Sequence, residues 1–164
     1  MRLLQSAEYQ PQAHAQFGLI EAELRTIFPA AAVEHVGASS IPGALSKGDL
    51  DVCLLVSPEQ HAGVVNTLEA AGYVAKADTL RTAELCMLLA PQAAIDTALQ
   101  VVAQGSKYEF FMHFRDALRA DPRLVAQYND IKKTHAHAGA TRYRQAKAAF
   151  IEHVLKQART EKSD

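Results

Sequence analysis

Two neighbouring segments predict a strand, a glycine loop and a second strand: Val33-Glu34-His35-Val36-Gly37-Ala38-Ser39-Ser40-Ile41-Pro42-Gly43 and Lys47-Gly48-Asp49-Leu50-Asp51-Val52. Asp49 and Asp51 lie two positions apart at the start of the second strand. Their side chains therefore share one face of the strand, and their Cα atoms are about 6.6 Å apart. Leu50 and Val52 point the other way, toward a core. The pattern predicts two carboxylates on a rigid element beside a loop.

Carboxylates at this spacing can converge on one Mg²⁺ or on a pair of ions. Two carboxylates held close also repel each other, which raises the pKa of one of them unless a cation is present. Mg²⁺ keeps several waters and accepts phosphate oxygens as further ligands. We therefore predict Asp49 and Asp51 as metal ligands and catalytic residues. The alternative is a solvated D-x-D pair, which is common at strand starts.

The glycine loop fits a nucleotide ligand. Gly37 allows close backbone approach, and the amides and hydroxyls of Ser39 and Ser40 can cradle phosphate oxygens. Lys47 adds a positive charge. The loop is not a P-loop, because alanine and leucine follow Gly43 where lysine and serine or threonine are needed. We predict Gly37, Ser39, Ser40 and Lys47 as nucleotide-binding residues.

Hydrophobic periodicity and capping signals predict an α+β fold. A short helix is expected after the loop, with Ser40 near its N-cap and Pro42 in its first turn. A capping box at 106–109 opens the first of three closing helices. Because the strands are grouped in mid-chain, α+β is favoured over a doubly wound fold. The other predicted helices cover 12–28, 57–71, 121–135 and 141–159, and the strands 33–36, 50–56, 73–77, 84–89 and 94–102.

Composition limits the classes of function. The 164 residues suit one domain, expected at 1–159 with a flexible polar tail at 160–164. The net charge of −1 makes a nucleic-acid partner unlikely on electrostatic grounds. Cys53 and Cys86 lie in apolar runs and exclude a disulfide framework. Without a signal-peptide pattern or a long apolar run, we expect a cytoplasmic protein with no membrane partner.

Three segments resemble the GrpB family of the nucleotidyltransferase superfamily. Residues 34–43 look like its E-H-V-G-S-T-S-[IV]-P-G signature, residues 114–119 like F-R-D-x-L-R, and residues 143–151 like Y-x-x-A-K-x-x-F-I. The likeness covers about residues 9 to 156. It implies a nucleotidyltransferase-like fold, with a short mixed β-sheet flanked by helices, a G-S loop and a D-x-[DE] pair. Members of the family are mostly uncharacterised.

The chain departs from the family pattern at several positions. Ala38 replaces a serine that binds phosphate in the wider superfamily, which weakens the phosphate interpretation. Asp51 matches the family acid, and Asp49 completes a full D-x-D. The superfamily usually adds a third acid from a later strand, for which Asp96 is the candidate catalytic residue, with a solvated strand-start residue as the alternative. A histidine often found near Gln100 is absent.

Other polar residues have both functional and structural explanations. His35 can bond a phosphate or an acid, or simply pack against the strand. His135 and His137 resemble a metal pair, but their place at a helix end favours the surface. Arg115 and Asp116 favour a structural ion pair over catalysis.

The last predicted helix is basic, and its face is either solvated or turned to the cleft. In the second case Lys147 and Tyr143 bind a triphosphate or a base, and we include Lys147 among the nucleotide-binding residues. Arg81 and Lys76 are weaker candidates of the same kind.

The leading hypothesis is a Mg²⁺-dependent nucleotidyltransferase that moves a nucleotidyl group from a nucleoside triphosphate to an unknown acceptor. Its rivals are a nucleotide-binding module without turnover and an interaction scaffold.

Overall fold

The sheet has five strands in the order β1-β2-β5-β4-β3. The computed structural model describes residues 1–91 and 93–163. β2 and β5 are parallel, and the other neighbours are antiparallel, so the sheet is mixed, as predicted. The strands are β1 Ala32–Val36, β2 Leu50–Val56, β3 Val74–Ala75, β4 Leu85–Leu89 and β5 Thr97–Ala103.

The residues that the structure describes also form five α-helices. They are α1 Ser6–Ile27, α2 His61–Ala70, α3 Phe110–Ala120, α4 Pro122–His135 and α5 Ala140–Ser163, with 3₁₀ turns at Ala38–Ser40 and Lys107–Glu109. The strands lie mostly together in mid-chain and three helices follow them, which confirms the predicted α+β class. No helix within the described ranges is long and apolar enough to cross a membrane.

The core lies on both faces of the central strands. One cluster packs α1 and α2 against the sheet and includes Leu24, Leu50, Val52 and Leu68. A second cluster joins α3, α4 and α5 to Ile41 and Ala44 just beyond the glycine loop. The second cluster thus fixes the three closing helices beside the loop, because close-packed side chains leave little freedom for relative movement.

Several element boundaries differ from the sequence predictions. α1 begins at Ser6, because Gln5 and Glu8 form a capping box and the helix accommodates Pro11. The helix predicted after Ser40 is wrong: a 3₁₀ turn ends at Ser40, and Pro42 lies outside it. The capping box at 106–109 forms only in part, since the Glu109 carboxylate accepts from the Gly105 amide instead (2.5 Å).

The end of the last helix also differs. α5 runs through 160–163, where a tail was predicted, and residue 164 lies outside the described range. The single domain at 1–159 and the flexibility of the tail stay predictions.

Arg115 joins α3 to β1, as its predicted structural role requires. Its guanidinium contacts Glu34 (2.7 Å) and Asp116 (3.0 Å) and donates to the carbonyl of His35 (3.0 Å). The Arg115 side chain is only 10% exposed. A buried guanidinium with three bonded partners is costly to disrupt.

Arg115→Met should lower the free energy of unfolding by about 1 to 3 kcal/mol, because it leaves a buried carbonyl and Glu34 without their partner. Arg25→Met is the matched control: Arg25 pairs with Glu21 on the exposed surface of α1, where such pairs contribute about 0 to 1 kcal/mol. Urea unfolding measures both, and equal losses would contradict the structural role of Arg115.

Candidate functional site

The two aspartates lie where β2 begins. Asp51 is paired with Val36, the last residue of β1, so the glycine loop starts beside it. Asp49 precedes β2 and accepts a hydrogen bond from the Ser46 hydroxyl (3.2 Å). The Lys47 ammonium lies 3.9 Å from the same carboxylate. β2 therefore holds Asp51 next to the loop, and Asp49 lies just before the same strand.

Gly37 is in direct contact with Asp51. Its backbone has φ 73° and ψ −176°, a conformation essentially restricted to glycine. A Cβ built on Gly37 would lie 2.5 Å from Oδ2 of Asp51 and 2.9 Å from its Cβ. The loop thus closes over the aspartate at a distance that no side chain permits.

Burial and neighbouring charges both act on the Asp51 carboxyl group. Burial, followed by the charge of Asp49, raises the pKa of Asp51 to about 6. Three ammonium groups act in the opposite direction, those of Lys147, Lys47 and Lys132.

This donor set fits a hard divalent cation. Mg²⁺ needs only one or two carboxylates when waters and phosphates complete its octahedron. Within the described ranges no cluster of three or more histidine, cysteine, aspartate or glutamate side chains is suited to hold a metal. Two carboxylates fit an ion whose other ligands are waters or phosphate oxygens.

The two serines of the loop are bonded inside the protein. Ser39 and Ser40 are 1% and 4% exposed. The Ser40 hydroxyl donates to the carbonyl of Gly37 (2.6 Å), and the Ser39 hydroxyl is 2.8 Å from Nε2 of His35. Their role as phosphate ligands stays a prediction. To bind phosphate, either hydroxyl must give up its present hydrogen-bond partner.

His35 supports the loop as a neutral ring. It stacks on Phe17 with 4.8 Å between ring centroids and meets His14 edge-on at 5.3 Å. Burial, followed by the charges of His14, Arg119 and Arg115, lowers the pKa of His35 to about 4. The imidazole is therefore uncharged at neutral pH, and the packing alternative accounts for it.

A pH dependence follows from His35. Because the folded pKa of about 4 lies below the ordinary value of 6.5, the stability that His35 contributes is full above pH 6.5 and is lost as pH falls to 4. Relative to His35→Gln, the wild type should lose free energy of unfolding over that window. Urea unfolding at several pH values measures the difference, and a difference that stays constant with pH would contradict it.

Lys147 and a second lysine, Lys132, belong to helices distant in sequence from the acids. Tyr128, and to a smaller degree Asp51, raise the pKa of Lys147 despite burial, and its nucleotide-binding role stays a prediction. Tyr143 adds to the same effect. Lys132 on α4 is 3% exposed, and burial followed by Lys147 lowers its pKa to about 7.

Sequence reasoning missed Lys132. One signal was available: Lys132 follows Val125 and Tyr128 on the apolar stripe of α4, and all three are buried. A lysine on such a stripe either extends its charge to the surface or has buried partners.

Asp96 lies just before β5, the strand next to β2. It lies one residue before Thr97, whose register partner is Leu50, and so stands at the level of Asp49. Its carbonyl accepts from the Leu50 amide (2.9 Å), while its side chain is exposed. Its catalytic role stays a prediction.

The weaker candidates lie elsewhere. Arg81 pairs with Glu69 (2.9 Å), and Lys76 is exposed beside the short edge strand. His135 ends α4 and His137 is exposed in the following turn.

Two surface grooves lie away from the acids. One of about 530 Å³ separates the start of α4 from the end of α5 and includes Arg123 and Lys156. Another of about 670 Å³ lies at the far end of β2 and includes Val56 and Gln60. Neither groove is lined by Asp49 or Asp51. The candidate site is therefore identified by its two carboxylates and the glycine loop, and not by either groove.

The mixed sheet, glycine loop and D-x-D strand define a nucleotidyltransferase fold. The Cid1 poly(U) polymerase, solved with MgGTP bound, aligns with a TM-score of 0.56 and 17% identity over 77% of this chain and 42% of its own. GrpB from Enterococcus faecalis aligns with a TM-score of 0.79 and 23% identity over 99% and 100% of the two chains.

Sequence comparison gives the family. The GrpB protein family model matches residues 4–157, and the chain therefore belongs to the GrpB family. A UPF0157 protein of Vibrio cholerae is 44% identical over 96% of this chain and 84% of its own length. Another, from Halalkalibacterium halodurans, is 28% identical over 92% and 80%. Neither name states an activity.

Proposed function

We propose that this protein is a Mg²⁺-dependent nucleotidyltransferase that moves a nucleotidyl group from a nucleoside triphosphate to an acceptor hydroxyl. The main support is the contact between Gly37 and Asp51, which places the glycine loop directly against a D-x-D pair. The fold supports it too, because a solved structure that shares it, Cid1, is described with MgGTP bound.

Asp49 and Asp51 hold the cation in this proposal. When bound, Mg²⁺ supplies charge neutralisation at the phosphates. Gly37, Ser39 and Ser40 receive the β- and γ-phosphates, and Lys47 and Lys147 offset their charge. Such catalysis consists of positioning and electrostatic stabilisation.

The transfer step forms one bond to the α-phosphorus and breaks another. The acceptor oxygen bonds to the α-phosphorus while its proton passes to Asp96. The bond from the α-phosphorus to the bridging oxygen breaks, and pyrophosphate leaves. The exposed Asp96 carboxylate, at the level of Asp49, suits a group that meets an incoming acceptor.

The acceptor class stays open to test, including the end of a nucleic acid. Net charge argues against a nucleic-acid binder, yet Cid1 is described as a poly(U) polymerase. RNA ends and small hydroxylated molecules therefore both belong in an acceptor screen.

A binding module without turnover is the second candidate. Ala38 lacks the hydroxyl of the family serine, and the Ser39 and Ser40 hydroxyls already have partners. These observations favour a site that binds a nucleotide without completing transfer.

Titration calorimetry with each nucleoside triphosphate, with and without Mg²⁺, separates the candidates when combined with a pyrophosphate-release assay. Mg²⁺-dependent binding with release supports the transferase, and binding without release supports the module. Absence of Mg²⁺-dependent binding would refute both and leave an interaction scaffold.

A further inference from the structure

Two side chains of α4 bond to the backbone of Gly43 and Leu45, in the segment that leads to the D-x-D strand. The Asn129 amide accepts from the Leu45 N–H (2.9 Å) and donates to the Gly43 carbonyl (2.9 Å). The Lys132 ammonium donates to the Leu45 carbonyl (2.5 Å). Both backbone polar groups of Leu45 are thus bonded by residues one helical turn apart.

The Lys132 side chain is buried at this contact. It is 3% exposed, and its ammonium lies 4.2 Å from the ring centroid of Tyr128. A buried ammonium is costly unless its protons are bonded and its charge is compensated. The carbonyl of Leu45 and the face of Tyr128 supply these interactions.

The segment around Leu45 is connected to Asp49 by direct contacts. Ser46 follows Leu45, and its backbone pairs with Leu4. The Ser46 hydroxyl donates to Asp49 (3.2 Å) and accepts from the Gly48 amide (3.0 Å). A displacement of Leu45 therefore moves the residue that orients Asp49.

We propose that Asn129 and Lys132 form a clamp on Leu45 that positions Asp49 for cation binding. The two are positioning residues and do not touch the ligand. This inference rests on the proposed function, because it assumes that the acids bind a divalent cation. Outer residues that orient metal ligands typically alter affinity by about 10- to 100-fold.

The direction in which Lys132→Met changes cation affinity separates the clamp from a simple charge effect. Removing a positive charge near two carboxylates should tighten cation binding if Lys132 acts only through its field. Loss of the clamp should weaken binding instead. Lys132→Met tests the sign, Asn129→Ala removes the other half of the clamp without changing the charge, and Lys133→Met is the control, because Lys133 is exposed on the same helix.

The experiment titrates the full chain with Mn²⁺ alone, followed by electron paramagnetic resonance, and measures hydrogen exchange of the Leu45 amide by NMR. We expect Lys132→Met and Asn129→Ala each to weaken Mn²⁺ binding about tenfold and to accelerate Leu45 exchange, with no change for Lys133→Met.

Each other outcome overturns the clamp. Tighter Mn²⁺ binding by Lys132→Met would assign the residue a charge role, and faster Leu45 exchange with unchanged affinity would make the clamp irrelevant to the acids. Absence of Mn²⁺ binding in the wild type would refute the proposed function and the positioning role together. Wild-type binding with unaltered variants would refute the clamp alone.

Discussion

Asp51→Asn is expected to lower Mg²⁺-dependent nucleotidyl transfer by about 100- to 1000-fold, the range typical of groups that stabilise transition-state charge. The amide has the size of the carboxylate but is a poor ligand for Mg²⁺, which prefers anionic oxygen. Because Asp51 lies against Gly37, no other carboxylate can take its place. Pyrophosphate release at saturating nucleotide measures the loss.

The same substitution should stabilise the fold. The folded pKa of Asp51, about 6, lies above its ordinary value of 3.8, so ionisation costs stability. That cost is absent below pH 3.8, grows as pH rises through 6 and is then constant. A shift of about two pKa units corresponds to about 1 to 3 kcal/mol once solvent screening is allowed for. Urea unfolding at pH 4 and pH 8 should show the gain only at the higher pH.

Glu59→Gln is the matched control, since Glu59 is exposed beyond the opposite end of β2 and undergoes the same change of charge. It should alter neither stability nor transfer. Full transfer by Asp51→Asn would refute the proposed mechanism, and an equal gain in stability at both pH values would refute the electrostatic origin of the gain.

The local pattern predicted the central part of the site well. β2 covers residues 50–56, as its run of leucine and valine indicates, and alternation along a strand fixes which way Asp51 points. α4 covers 122–135, because Asp121 is an N-cap and Pro122 suits a first helical position. These features depend on neighbours in sequence, which a single chain displays.

The rest of the site depends on contacts between distant segments. The spacing of Ser39 and Ser40 does not reveal that His35 and Gly37 already occupy their hydroxyls. Lys132 reaches a carbonyl 87 positions away in sequence, which helical periodicity cannot predict. For Asp96, strand pairing accounts for the position beside Asp49, but it does not predict that the side chain is exposed.

Gly37→Ala should have the largest effect on stability, a loss of about 2 to 4 kcal/mol, together with loss of Mg²⁺-dependent nucleotide binding. Two costs combine. The positive φ of 73° strains any side chain by about 1 to 3 kcal/mol. The new Cβ would also lie 2.9 Å from Cβ of Asp51, an atom fixed by the β2 backbone, so the strands must separate or the carboxylate must move.

Alanine substitutions at two other glycines separate the cost of backbone strain from the cost of the contact with Asp51. Gly105 has φ 81° with nothing within 4 Å of a built Cβ, so Gly105→Ala should show the backbone cost alone. Gly18 lies inside α1, also with open space, and Gly18→Ala should stabilise by about 0.5 to 1 kcal/mol. Urea unfolding should rank the three as Gly18→Ala above wild type, then Gly105→Ala, then Gly37→Ala. If Gly37→Ala lost no more stability than Gly105→Ala and kept nucleotide binding, the contact between the loop and Asp51 would not constrain the site.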